Sequence, residues 1–258
     1  MDEPIWAQLK TPNPDIEVQL GEIVFSNPAR AVFRAEPRSA AQNSGAVDAH
    51  FFLEVGTDSR ERVNRFLEAK YLDHPHVLRY RSAGTLRVGE HTFTYAITER
   101  ADQWANYLLP QELALPFARQ VLSALDYLHA MNLIYCALSA QAVVRIGTVW
   151  KLSDFSQLRV AGTDTSEDML SLAATLDTPP PEAVEGLITP AWDIWSFGQT
   201  LRQLLPRYKA GGPDRFRAVL LACLNLKPSS RPSVQQIFKM LDQIQSNAPP
   251  DVSSAARA

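Results

Sequence analysis

The stretch Tyr127-Leu128-His129-Ala130-Met131-Asn132-Leu133-Ile134-Tyr135-Cys136-Ala137-Leu138-Ser139-Ala140-Gln141-Ala142, followed by Lys151-Leu152-Ser153-Asp154-Phe155-Ser156, decides how the chain is read. Immediately upstream, Glu112 to Met131 sets Phe117, Val121, Leu122, Leu125 and Leu128 at spacings of three and four. That pattern predicts a long helix with one buried face, closing at Tyr127-Leu128-His129. The segment that follows carries small side chains at Ala137, Ser139 and Ala142. A methyl group can neither accept a proton nor ligate a hard cation, which prefers oxygen.

The wider chain supplies further fixed points in order: Pro180-Pro181-Glu182, Asp193-Ile194-Trp195-Ser196-Phe197-Gly198, Cys223-Leu224, and Lys227-Pro228-Ser229-Ser230-Arg231-Pro232-Ser233. Taken with the opening stretch, these resemble Y-L-H, H-R-D-L-K-P-x-N, K-L-x-D-F-G, A-P-E, D-x-W-S-x-G and R-P-S of the protein kinase superfamily, at that family's spacings. Any one motif alone is weak; their order is what is specific. The resemblance covers about residues 20 to 245 and implies a two-lobed α+β fold. A sheet-rich N-lobe is expected over 20–98, a hinge over 99–102 and a larger helical C-lobe over 103–245. Residues 1–19, with Pro4, Pro12 and Pro14, read as an extended lead-in, and 246–258 as a flexible tail or linker.

Strands are expected from Glu22 to Ala35, around the turn Ser26-Asn27-Pro28-Ala29-Arg30, and at His50–Val55, Val77–Arg81, Thr85–Val88 and Thr92–Thr98. A helix is expected over Ser59–Leu72, a short one over Trp104–Leu109, and a closing one from Ser233 to about Gln245. Residues 36–49 read as a loop.

Phosphoryl transfer in the resembled family needs a carboxylate base, a nearby lysine and an asparagine for the second magnesium. The resemblance places Ala137, Ser139 and Ala142 at those positions. It also places Phe25, Asn27 and Arg30 at the three glycines of the phosphate-covering loop, and Arg65 at the glutamate of the paired helix. The third strand should carry a lysine, yet none occurs between Lys10 and Lys70. If nucleotide binds, the implied contacts are Arg30, Val32, Thr98, Glu99, Ala101, Val144 and Asp154, with Glu99 and Ala101 offering hinge backbone groups to adenine. Asp154 is the implied metal ligand; read without the family, it caps the turn before the next segment. Arg30 either holds phosphate in the missing lysine's place or is an exposed arginine on a strand edge, the commoner fate of that residue. Tyr135, Phe155, Glu182, Asp193 and Arg231 match structural positions, with Glu182 and Arg231 as a buried ion pair and Asp193 holding the backbone of the loop. Cys136 reads as a small buried hydrophobe.

The chain has 258 residues, 46% of them apolar, formal charge −3 and two cysteines. That is enough apolar material for a sizeable core, with no electrostatic case for nucleic acid, no spanning run of about 20 apolar residues and no disulfide framework. The expectation is a pseudokinase working through contacts with other proteins, an active kinase or signalling partner among them, in the cytoplasm or on the cytosolic part of a longer protein. No cofactor is expected, or at most weak ATP and magnesium. The alternatives are an atypical phosphotransferase using Asp154 and Arg30, and a non-catalytic nucleotide sensor. Thr163, Thr165, Ser166, Ser171, Thr175 and Thr178 mark the segment where phosphorylation is conceivable.

Overall fold

The structure, a computed structural model, describes residues 3–9, 16–38, 46–54, 59–105, 108–162, 178–205 and 216–246. Its chain divides into two units: Met1–Ala105 with Gln141–Leu158, and Asn106–Ala140 with Arg159–Ala258.

The first unit is built on a five-stranded antiparallel sheet, β1 (Val18–Ser26), β2 (Arg30–Pro37), β3 (Val47–Leu53), β4 (Tyr80–Val88) and β5 (His91–Glu99), in the order β1-β2-β3-β5-β4. The β1–β2 turn closes without a glycine. Asn27 Oδ1 accepts the backbone N–H groups of Ala29 at 3.0 Å and Arg30 at 2.8 Å, the local bonding that suits asparagine to turns.

Side chains alternate across a strand, so the register sorts the sheet into two faces. On one face Ala31, Phe33, Ala35, Val47, Ala49, Phe51, Phe93 and Ile97 form a closed apolar core. On the other, Arg34 stands opposite Asp48, Val32 opposite His50 and Arg30 opposite Phe52, while Asp48 stands opposite Thr98. The second face carries the chemistry.

Trp6, Leu9 and Ile16 belong to the apolar core. The expected extended lead-in is therefore corrected to a helix, α1 (Glu3–Gln8), whose Trp6 is 1% exposed and donates Nε1–H to the Asn27 carbonyl at 3.2 Å. Proline is tolerated in a first helical turn, where its missing N–H is not needed, so Pro4 does not prevent it.

Helix α2 (Ser59–Ala69) follows, and a small sheet of β6 (Gln103–Trp104), β8 (Val143–Ile146) and β9 (Val149–Leu152) completes the first unit. Trp104 was expected to open a helix. It pairs instead with Val144, and the Ala105 N–H reaches the Val143 carbonyl at 2.9 Å, so the backbone there is extended. Over Val77–Arg81 the strand is interrupted: Val77 makes an isolated bridge to Leu152, and β4 begins at Tyr80 and runs on through the expected Thr85–Val88 strand. Residues 141–158, expected with the C-terminal lobe, group with the first unit through β8 and β9 and through the Leu78 N–H to Leu152 carbonyl bond of 2.8 Å.

The second unit is helical. It holds α3 (Gln111–Ala130), the short pair β7 (Leu133–Ile134) and β10 (Arg159–Val160), α4 (Pro190–Leu204), α5 (Arg217–Cys223) and α6 (Val234–Ser246). Ala114, Phe117, Ala118, Val121, Leu122, Ala124, Leu125 and Leu128 form the buried face of α3. At Gly198 an added Cβ would lie 2.9 Å from the Cys223 Cβ, so only glycine lets α5 approach α4 this closely. Among the described residues no helix is long and apolar enough to cross a membrane.

Candidate functional site

The polar face of the first sheet carries a connected chain of hydrogen bonds. Arg30 Nη1 donates to Asp154 Oδ2 at 2.8 Å, and Arg30 Nη2 lies 2.9 Å from His50 Nδ1. A guanidinium can only donate, so His50 Nδ1 accepts and its proton sits on Nε2. Nε2–H then donates to Thr98 Oγ1 at 3.1 Å, and the Thr98 hydroxyl donates to the Glu99 carbonyl at 3.0 Å. Arg30 and His50 are diagonal neighbours across two strands, within reach of long side chains. Arg30 is 5% exposed, which replaces the expected exposed arginine on a strand edge: the turn feeds it onto the inner face, where Phe25 and Phe52 flank its guanidinium at 5.6 and 5.2 Å.

Burial, and after it the neighbouring Arg30 charge, pushes the His50 pKa well below its ordinary value. His50 is thus neutral in the fold while it protonates near pH 6.5 when unfolded. Stability from this residue is full above the unfolded pKa and is lost as pH falls, at up to about 1.4 kcal/mol per pH unit for one proton. Melting temperature is expected to drop from pH 7 to pH 5, and His50→Gln, which keeps an acceptor and a donor, is expected to flatten that drop. His74 and His76, also lowered, slope the same way, so the difference between wild type and variant is the quantity that reads His50. An unchanged slope in the variant would contradict a neutral His50.

Asp154 also caps its own turn, Oδ1 accepting the Ser156 N–H at 3.0 Å. Arg65, at the helix position where a glutamate is expected, donates to the Ser156 carbonyl at 3.0 Å and to Glu61 at 2.7 Å. Phe155 is fully buried and packs edge-on against Tyr80, whose ring stacks on Phe66, with centroids 5.7 and 5.5 Å apart. Ala142 is 2% exposed, its carbonyl accepting Ser153 N–H at 2.9 Å and Ser153 Oγ–H at 3.1 Å.

At the hinge, Ala101 N–H donates to Asp48 Oδ2 at 2.9 Å and the Ala101 carbonyl accepts Arg34 Nη1 at 2.5 Å. Arg34 Nη1 also reaches both Asp48 oxygens, at 2.9 and 3.0 Å. The Glu99 carboxylate is held by Lys151 Nζ at 2.8 Å and by the Arg79 N–H at 2.9 Å. Val32 and Val144 are fully buried in one cluster with Leu78, Ala101 and Trp104, against which Val24, Phe25 and Ile146 pack.

In the second unit, Asp193 is fully buried and accepts the backbone N–H groups of Tyr135 at 2.8 Å and Cys136 at 2.9 Å, with His129 Nε2 at 2.9 Å. These bonds hold Cys136 at φ 62°, a left-handed conformation that costs a residue with a Cβ about 1–2 kcal/mol. Cys136 is buried, as are Tyr135 and Leu138; Ala137 is 9% exposed and Ser139 half-buried. Glu182 and Arg231 form a bidentate pair, Oε1 with Nη1 at 2.5 Å and Oε2 with Nη2 at 2.7 Å. Arg231 further donates to the carbonyls of Asn225 and Ala191 and lies over the Trp195 ring. The candidate phosphorylation positions Thr163, Thr165, Ser166, Ser171 and Thr175 lie outside the described residues.

Sequence reasoning missed Asp48, His50 and Arg34. Val47-Asp48-Ala49-His50 sits on β3, the strand expected to carry the missing lysine. A polar residue at every second place of an apolar strand was the available signal.

The profile of the family described as protein tyrosine and serine/threonine kinase matches residues 63–207, more than half of the chain, and the chain belongs to that family. Among its relatives are mitogen-activated protein kinase kinase kinase 9 of Arabidopsis thaliana, 27% identical over 232 residues, covering 75% of this chain and 29% of that protein. Mitogen-activated protein kinase kinase kinase 3 of the same plant is 26% identical over 229 residues, covering 75% of this chain and 40% of that protein. The serine/threonine-protein kinase mos of Xenopus laevis is 24% identical over 311 residues, covering 98% of this chain and 81% of that protein. The chain thus spans well under half the length of the first two.

Proposed function

We propose that this chain is a pseudokinase, a protein-kinase-fold module that does no phosphoryl transfer and acts as a regulatory or scaffolding partner of other proteins in the cytoplasm. The observation that carries this reading is the 2.8 Å ion pair between Arg30 and Asp154. The carboxylate expected to hold magnesium is committed to a guanidinium on one oxygen and to its own turn on the other. A magnesium nucleotide does not fit these residues. Its second protein ligand would be Ala142, which has no oxygen to give, and the base position is Ala137. Arg30 would have to leave Asp154 and His50 to bind a phosphate.

The test is incubation with labelled ATP, magnesium or manganese, and generic protein substrates. Transfer is expected to stay at the level of an Asp154→Ala control. Transfer that requires Asp154 would overturn the proposal and restore an atypical phosphotransferase.

A further inference from the structure

We propose that Asp48 and Arg34 are an internal ligand of the hinge, occupying from within the backbone groups that a purine base would use. The inference rests on the non-catalytic reading and extends it from the phosphate side to the base side of the site.

A flat heterocycle edged by donors and acceptors is recognised by backbone N–H and C=O groups lying side by side. Residues Glu99 to Ala101 supply three such groups, and each is engaged inside the first unit. The Glu99 carbonyl accepts from Thr98, the Ala101 N–H donates to Asp48, and the Ala101 carbonyl accepts from Arg34. An N–H has one hydrogen to give, so Asp48 saturates that donor. The two side chains stand directly opposite in the β2–β3 register and bond each other, so together they present an acceptor beside a donor, as a base edge would. The sheet itself sets their position. Asp48 is fully buried, and a base taking the Ala101 N–H would strip that carboxylate of a backbone donor where water cannot replace it, leaving Arg34 to hold it. Arg34 also lies 5.8 Å over the Trp104 ring, which stacks on Phe25, while Val32 and Val144 close the same cluster. Burial raises the Asp48 pKa, and the Ala101 N–H, then Arg34, oppose that rise.

Adenosine is the probe, because it lacks phosphates and so is blind to Arg30 and Asp154. Titration calorimetry on the wild-type chain is expected to show no binding up to about 1 mM, and Asp48→Ala is expected to tighten affinity by about tenfold or more. Asp48→Asn should stay closed, since its amide oxygen can accept the same N–H. Should circular dichroism show Asp48→Ala unfolded, the pair Arg34→Met with Asp48→Ala removes both charges and leaves neither buried alone. Independently of any variant, the Ala101 amide of the wild-type chain should be protected in hydrogen exchange, and prompt exchange would overturn the proposal. So would micromolar adenosine binding by wild type, or folded alanine variants no better than wild type. Each of those results leaves the pseudokinase reading standing, because that reading falls only to phosphate transfer.

Discussion

Arg231→Ala is expected to cost about 3–5 kcal/mol, because it leaves the buried Glu182 carboxylate uncompensated. The loss reaches beyond one ion pair. The Arg231 guanidinium also bonds the Asn225 and Ala191 carbonyls, so it ties the turn before α6 to the start of α4 and to the short helical turn Pro181–Val184. A double change to Glu182→Gln and Arg231→Met removes both charges together and should cost less than the single change. Urea denaturation followed by tryptophan fluorescence measures both. A single variant as stable as wild type would mean that the pair carries no net stability in this fold.

The second large effect is expected at Asp193. Its carboxylate satisfies two buried backbone N–H groups and a partly exposed histidine, and each buried orphaned donor costs about 1–3 kcal/mol. Asp193→Ala should therefore lose at least about 2 kcal/mol, and the left-handed backbone at Cys136 should relax with it. Asp193→Asn keeps an acceptor but turns an amide toward a second donor, so an intermediate loss is expected. Destabilisation by Asp193→Ala of under about 1 kcal/mol, the scale of a single ordinary hydrogen bond, would show that the loop holds itself.

The helical unit was legible because its motifs are residues with one physical task each. A buried glutamate needs its arginine, and a helix start rich in tryptophan needs a core. Their spacing along the chain records the distance the backbone must travel. The five strands were legible for a similar reason, since alternation survives even where every glycine of the first turn is replaced. What sequence could not give was the partner of a side chain across strands. Arg30 stayed open between a phosphate holder and a surface residue because composition knows nothing of register. Once Val32 is seen opposite His50, a reach of two residues brings its guanidinium to the imidazole. Asp48 was passed over because a carboxylate inside an apolar strand makes sense only with Arg34 across from it and a hinge N–H in front of it. The N-terminal helix was hidden by prolines, and Trp6 inside it with Leu9 just past its end is too short a pattern to declare a period.

That helix bears on where the first unit begins. Trp6, Leu9 and Ile16 are each at most 2% exposed, packed on the face of the sheet that holds Phe33, Phe51 and Phe93. Burying three such side chains is worth on the order of 5 kcal/mol, comparable with the whole stability of many domains. The family profile starts at residue 63 and the first strand at Val18, yet neither is a thermodynamic boundary. A chain trimmed to Val18 would keep every strand and expose an aromatic floor to water, so the smallest piece that folds cleanly is set by a tryptophan twelve residues ahead of the sheet.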